Sequence, residues 1–246
     1  MEAWKERTEL LVGPEGLERL FESSVAVIGL GGVGAYAAEM LCRAGVGHLI
    51  LLDSDVVSES NKNRQLIALD STIGKPKSTV LAERLKDINP DVRLTLINCY
   101  LEEGSIPQLL GEHKVDFLVD AIDTLAPKIA LIKYCVESGI PHVSSMGAGA
   151  KFDATAVRLA DLSKSYNCPL AYILRKKLRK VGISKGFMVV FSEELPRREA
   201  IVAVEERNKK SNVGTISYLP AVFGCVCAQA AVEHLLKDLQ QADGAL

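Results

Sequence analysis

The sequence predicts an α/β fold built on a doubly wound, mostly parallel sheet, and three observations carry that reading. Short apolar runs alternate with segments of helical period through residues 1–150, the pattern of βα units feeding a parallel sheet. A glycine-rich turn, Gly29-Leu30-Gly31-Gly32-Val33-Gly34, stands directly between the first apolar run and the first helical segment. Neither an internal repeat nor a low-complexity linker interrupts the 246 residues. A smaller, partly antiparallel C-terminal half is therefore expected to continue the same sheet.

Taken in order, Val25–Leu30 is the first expected strand and Val33–Ala44 the helix after it. Leu49–Asp53 is the second strand, and Lys77–Ile88 a helix stopped by the turn pair Asn89-Pro90. Val92–Ile97, Phe117–Ala121 and His142–Ser145 are the next strands, with a proline-opened helix over Pro127–Glu137. Beyond Gly149 the texture changes. Ala156–Leu159 and Val189–Phe191 alternate as strands do, and a long polar, basic region fills 175–210. The small residues of Ala221–Leu236 suit a tightly packed, buried helix. One α/β domain, 1–246, is expected, with a soft internal boundary between 1–150 and 151–246.

Composition narrows the function classes. With 48% hydrophobic residues, 24% charged and a net charge of -2, the chain sits near the average for globular proteins, which excludes disorder, collagen and coiled coil. The balance also argues against a protein that coats nucleic acid with its whole surface. Six scattered cysteines and a polar, charged start from Met1 to Glu9 fit a reducing, cytoplasmic setting without a signal peptide. Gln229, Glu233 and His234 interrupt the most apolar stretch, which falls short of the ~20 apolar residues of a membrane span.

The glycine turn follows a strand and opens a helix, where a backbone without Cβ atoms approaches phosphates at a positive helix end. Asp53 ends the next strand about twenty residues on, where a carboxylate accepts hydrogen bonds from ribose hydroxyls. Together they indicate an adenine nucleotide on a Rossmann-like sheet. The residues after Asp53 argue against a nicotinamide dehydrogenase. Ser60-Asn61-Lys62-Asn63-Arg64-Gln65 supplies amides and a guanidinium suited to a triphosphate, and Gly74-Lys75-Pro76-Lys77 puts Lys77 at a helix start. Arg64 can fork across two oxygens while Lys77 acts as a point charge. Asp120-Ala121-Ile122-Asp123-Thr124 ends the fourth strand, at the carboxyl edge where open sheets bind ligands. Asp123 is the magnesium candidate, since magnesium takes one or two carboxylates plus substrate phosphates. Asp120, nearer the strand body, reads as a local hydrogen-bonding group.

The set Gly-Leu-Gly-Gly-Val-Gly, Leu-Leu-Asp-Ser-Asp, Ser-Asn-Lys-Asn-Arg-Gln, Gly-Lys-Pro-Lys and Asp-Ala-Ile-Asp, in this order, resembles the ubiquitin-activating-enzyme-like superfamily, which activates carboxylates with ATP. The resemblance implies a nucleotide-binding set of Gly29, Gly31, Gly32, Gly34, Asp53, Asp55, Ser60, Asn61, Asn63, Arg64, Lys77, Asp123 and Thr124. Arg64, Lys77, Asp123 and Arg7 are the implied catalytic groups, with Asp123 serving magnesium. Arg7-Thr8-Glu9-Leu10-Leu11 looks like the superfamily's N-terminal arginine segment, which reaches across a homodimer into the neighbour's ATP site.

Within that superfamily, Ala148–Asp153, Pro169–Ala171, Arg175–Lys180, Val190–Glu194 and Gly214–Pro220 are similar to the tRNA threonylcarbamoyladenosine dehydratases, and the similarity spans essentially the whole chain. It implies ATP-dependent activation of the threonyl carboxylate of a modified adenosine beside the tRNA anticodon, then ring closure with net loss of water. Residues 1–150 would form the ATP-binding half and 151–246 the substrate and tRNA half. Trp4 stands where the family usually has a further arginine, and Cys168 where it has an aspartate. Besides modified tRNA and a second copy of the chain, a sulfur-transfer protein and a monovalent cation are compatible with the resemblance.

The remaining candidates point elsewhere. Cys225-Val226-Cys227 has the wrong spacing for a zinc site, so no structural zinc is expected, which leans the reading away from the sulfur-carrier activating enzymes, which often have two C-x-x-C pairs. Cys42, Cys99 and Cys135 read as small hydrophobes. Cys168 reads as an exposed thiol in a polar loop near several cations. His48, His113, His142 and His234 show no metal spacing. The stretch 175–210 holds eleven cations against five carboxylates in a chain of net charge -2, so one face is expected to meet a polyanion. Arg175, Lys176, Lys177, Arg179 and Lys180 are its densest cluster and the tRNA-binding candidates. Two competing functions remain at this point: adenylation of the C-terminus of a ubiquitin-like or sulfur-carrier protein, and a binding module that senses ATP while tethering RNA.

Overall fold

The computed structural model describes residues 3–206 and 209–242; Arg207 of the basic stretch lies outside them. A helix not expected from sequence pattern opens the chain. This is α1 (Glu6–Glu22), kinked where Gly13 takes φ +74 before Pro14. Leu10 and Leu11 face solvent on it, which scatters its apolar residues and hides its stripe. β1 (Ser24–Ile28), α2 (Gly34–Ala44), β2 (His48–Leu52), α3 (Lys77–Ile88), β3 (Arg93–Ile97), α4 (Ile106–Gly111), β4 (Phe117–Asp120), α5 (Leu125–Glu137) and β5 (His142–Ser145) then alternate. β6 (Val157–Asp161), α6 (Pro169–Arg179), β7 (Met188–Ser192), β8 (Ile201–Glu206), β9 (Lys209–Val213), α7 (Tyr218–Leu235) and α8 (Lys237–Ala242) complete the chain.

Seven strands form one sheet in the order β3-β2-β1-β4-β5-β7-β6, parallel except for β6, which runs antiparallel to β7. The doubly wound sheet and its antiparallel continuation are thus as the sequence predicts. Chain order reverses between β1 and β4, and a parallel register pairs Ile28 with Asp120. That register sets Gly29 beside Ala121, so the two loops leaving these strands share one crevice. β8 and β9 form a separate hairpin at the end of the stretch read as polar and basic, and α6 supplies a helix at its start.

Successive residues of β1 serve opposite faces of the sheet. Val25 and Val27 join a core with α2, α3 and α7, while Ala26 and Ile28 join one with α4 and α5. A third cluster packs Ala171, Leu174 and Leu178 of α6 on Val189 and Phe191 of β7. Helix α7 is the buried helix expected near the C-terminus. It is long and apolar enough by length and composition to cross a bilayer, but half of it is buried in the protein, against α2, β4 and β5. Its crossing with α2 depends on Gly224: a Cβ there would lie 2.4 Å from the Val33 carbonyl oxygen and 2.8 Å from Tyr36 Cβ.

Several boundaries shift for local reasons. The first strand stops at Ile28, not Leu30, because Gly29 turns the chain with φ +88. α5 starts at Leu125, two residues before Pro127, which is tolerated in the first turn where its missing N–H has no carbonyl to bond. Cys168 corrects the reading of an exposed thiol: it is buried with Leu174 and Phe191, just before the first turn of α6.

Candidate active site at the strand switch point

A cavity of about 1050 Å³ opens at the carboxyl ends of β1, β4 and β5. The glycine loop forms one wall because its backbone admits no side chain. A Cβ on Gly34 would lie 1.8 Å from the Gly29 carbonyl oxygen, and one on Gly29, 2.9 Å from that of Ala121. Gly32 is confined by Pro220 and by the Arg64 backbone, whereas Gly31 has more room. Asp53, expected to meet ribose, also braces this loop: Oδ2 accepts from the Leu30 N–H at 2.6 Å and Oδ1 from the Asp55 N–H at 2.8 Å.

The cationic wall is preorganised. Lys77 is buried, and its Nζ donates to Asp55 Oδ2 at 2.8 Å, while the Asp55 carbonyl accepts from the Lys77 N–H. Asp55 therefore positions the lysine. Arg64 Nη1 donates to the Ser60 carbonyl at 2.9 Å and to Asn63 Oδ1 at 2.8 Å, and Asn63 Nδ2 donates to the Thr215 carbonyl. Asn61 is buried and caps its own turn through the Ser58 N–H; Ser60 shares a hydroxyl bond with Ser58.

Across the crevice, Asp123 is exposed on the cavity rim and Thr124 precedes α5. Asp120 does not face ligand. It is fully buried, paired with the fully buried Lys128 at 2.9 Å, and accepts from Ser144 Oγ at 2.6 Å and from the Ile122 N–H. Lys128 Nζ also donates to the Ile122 carbonyl, so the pair sets the shape of the loop that carries Asp123.

Gln65 is a site residue that sequence reasoning passed over. Its Oε1 is buried with no partner among the described residues, on the cavity wall near Gly31. A buried acceptor left open costs about 1–3 kcal/mol, so it suits a ligand hydroxyl or amino group. That orphan, the glycine cradle and the paired cations fit a bound adenine nucleotide. Among the described residues no group of three His, Cys, Asp or Glu side chains could hold a metal. A magnesium ion here would rest on Asp123 with the remaining ligands drawn from phosphates and water.

Two further candidates lie away from the cavity. Arg7 is exposed on the first turn of α1, outside the cavity lining. On α6 and at its C-terminal cap, Lys176, Lys177, Arg179 and Lys180 are exposed, but Arg175 is half-buried and turned inward, donating to the Ser165 carbonyl at 2.6 Å and to its hydroxyl. Burial raises the thiol pKa of Cys42 to about 11 and of Cys135 to about 12, which keeps both inert.

Comparison with known proteins agrees with this geometry. The model of the ThiF family matches residues 6–245. A tRNA threonylcarbamoyladenosine dehydratase of Bacillus subtilis is 42% identical over 242 residues, 95% of each chain. The chain belongs to the ThiF family, among the tRNA threonylcarbamoyladenosine dehydratases. The dehydratase of Escherichia coli is 36% identical over 97% of this chain and 95% of its own. A crystal structure of the Escherichia coli enzyme in complex with ATP superposes with a TM-score of 0.88 at 33% identity, covering 98% of both chains. For this ThiF-family chain, the likeness therefore extends through the second half, whereas the Escherichia coli molybdopterin-synthase adenylyltransferase, at 36% identity, covers only 63% of it.

Proposed function

We propose that the chain is an ATP-dependent dehydratase that cyclises threonylcarbamoyladenosine next to the tRNA anticodon, working as one unit across residues 1–246. The observation that carries this reading is the cavity at the β1/β4 switch point, with a glycine cradle and oriented cations, in a chain similar end to end to proteins named as that dehydratase. The threonyl carboxylate oxygen attacks a phosphorus of ATP and expels pyrophosphate or ADP. The ureido group then attacks the activated acyl carbon, expels the phosphorylated oxygen as AMP or phosphate, and gives up an N–H proton to solvent. The net change is ATP cleavage and loss of one water from the nucleoside.

Because the nucleophile belongs to the substrate, the protein's work is positioning and charge stabilisation. Arg64 and Lys77 face the phosphates, Asp55 holds Lys77, and Gln65 offers the open acceptor. Magnesium bound at Asp123 would neutralise phosphate charge. The exposed cations of α6 meet the tRNA backbone, and a second copy of the chain brings its Arg7 to the nucleotide; exposed Leu10 and Leu11 beside Arg7 support an interface there. The test is incubation with ATP, magnesium and threonylcarbamoyl-modified tRNA, followed by mass spectrometry of the nucleosides. Loss of one water is expected; an unchanged nucleoside in the presence of ATP would sink the proposal.

A further inference from the structure

Lys151 lines the cavity and is 2% exposed. Its Nζ donates to the Ser192 carbonyl at 2.9 Å and the Asn167 carbonyl at 3.1 Å, which accounts for two of three N–H bonds. Among the described residues no carboxylate lies within ion-pair distance of it. The Cys168 thiol and, after it, Glu194 act on it through space, and Glu194 gives its Oε2 to the Phe152 and Asp153 N–H groups. Buried ammonium groups are otherwise paired, because an uncompensated charge in a poorly solvated site is costly. Burial accordingly pushes the Lys151 pKa down.

The backbone around Lys151 is held in an unfavourable form. Ala150 and Asn167 are the two non-glycine residues with positive φ among the described residues, at +61 and +52. Ala150 precedes Lys151, and Asn167 supplies one of its carbonyl partners. Ala150 is pinned by the Gly214 carbonyl on its N–H and by the Arg197 N–H on its carbonyl, both at 2.8 Å. Strain of this kind persists where surrounding structure over-determines it, and it concentrates at ligand sites. Beside Lys151 on the same cavity wall lie Cys168, Pro169 and Leu170, the start of α6, whose first turn adds the positive end of the helix.

We propose that Lys151 binds the substrate carboxylate, completing its third hydrogen bond with the oxygen that ATP activates, opposite the nucleotide on the glycine-loop wall. The cavity then holds two anion sites, one for phosphates at Arg64 and Lys77 and one for the acyl group at Lys151. This inference rests on the dehydratase reading for the identity of the carboxylate, but not for the existence of the anion site.

The test uses the free nucleoside N6-threonylcarbamoyladenosine and its methyl ester, which differ in the carboxylate charge and one methyl group, titrated into the full-length protein with ATP affinity as the folding control. The wild type should bind the acid about 10- to 100-fold more tightly than the ester, the range of a hydrogen bond to a charged group. Lys151→Met should reduce that preference below about threefold while leaving ATP affinity unchanged, and Lys151→Gln serves if the methionine variant fails to fold. Equal binding of acid and ester by the wild type, no binding of either, or an undiminished preference in a folded Lys151 variant would overturn the inference. Conversion of modified tRNA is followed in parallel. Its absence, with the acid preference present in the wild type and lost in the variant, would sink the dehydratase reading and leave the anion site standing.

Discussion

Asp53 gives one oxygen to the Leu30 N–H and the other to the Asp55 N–H, and Asp55 in turn holds Lys77. A carboxylate expected only to meet ribose is thus also the link between the glycine loop and the cation proposed to face phosphate. Asp123 differs in having no such structural duty. Asp123→Ala should therefore abolish turnover with only a modest loss of ATP affinity, because metal orientation matters most where charge builds during reaction; full turnover in this variant would remove the metal assignment. His142 makes a different prediction. Burial lowers its pKa, its Nδ1 lies 3.0 Å from the Ile140 carbonyl, and its buried Nε2 has no partner among the described residues, so the folded protein holds it neutral. Between the depressed folded pKa and the unfolded value of about 6.5, the unfolded chain binds more protons. Unfolding free energy should fall as pH drops below about 6.5, and His142→Phe should flatten that slope in denaturant titrations from about pH 7.5 to 5.

Among the elements, the α2/α7 crossing and α6 each tie packing to function. Gly224→Ala would push a methyl into the Val33 carbonyl at the start of α2, so a destabilisation of about 1–3 kcal/mol is expected in denaturant unfolding. ATP affinity should fall with it, since Val33 belongs to the glycine loop. The exposed face of α6 makes the opposite kind of prediction: changing Lys176, Lys177, Arg179 and Lys180 together to Glu should weaken tRNA binding and leave ATP affinity alone, because these side chains are exposed and lie outside the cavity lining. A filter-binding series in salt should also show a shallower slope, by about 0.7 to 0.9 for each phosphate no longer neutralised. Unchanged affinity and slope would reassign the face to ordinary solvent exposure. Arg175 is left out of that variant because its guanidinium is bonded to Ser165, so changing it would report on folding as much as on tRNA.

For the molecule as a whole, the exposed first turn of α1 places Arg7 outside the cavity of its own chain, and under the proposed shared site a second copy would supply the arginine that meets the nucleotide. If two copies share each site in this way, mixing Arg7→Ala with Asp123→Ala protein should restore part of the activity, since one heterodimer site then carries both groups. No rescue with confirmed subunit exchange would argue against the shared site. The parallel core and the nucleotide motifs were legible in the chain before any fold was known, because both are local: apolar runs with helical intervals, and glycines, Asp53, Arg64 and Lys77 at short spacings. Helix α1 escaped because its apolar side chains are scattered, two of them into solvent, and the β8/β9 hairpin because the short apolar run that opens β8 is embedded among charged residues and β9 is largely polar. Folding in three dimensions was needed to show that Asp120 is locked in a buried pair with Lys128, that Cys168 is buried, that Arg175 turns inward and that Gln65 and Lys151 stand on the cavity wall. These are matters of burial and partner, and the partners lie far away in the chain: Lys151 meets Ser192 across 41 residues, and no pattern within a window of sequence encodes that meeting.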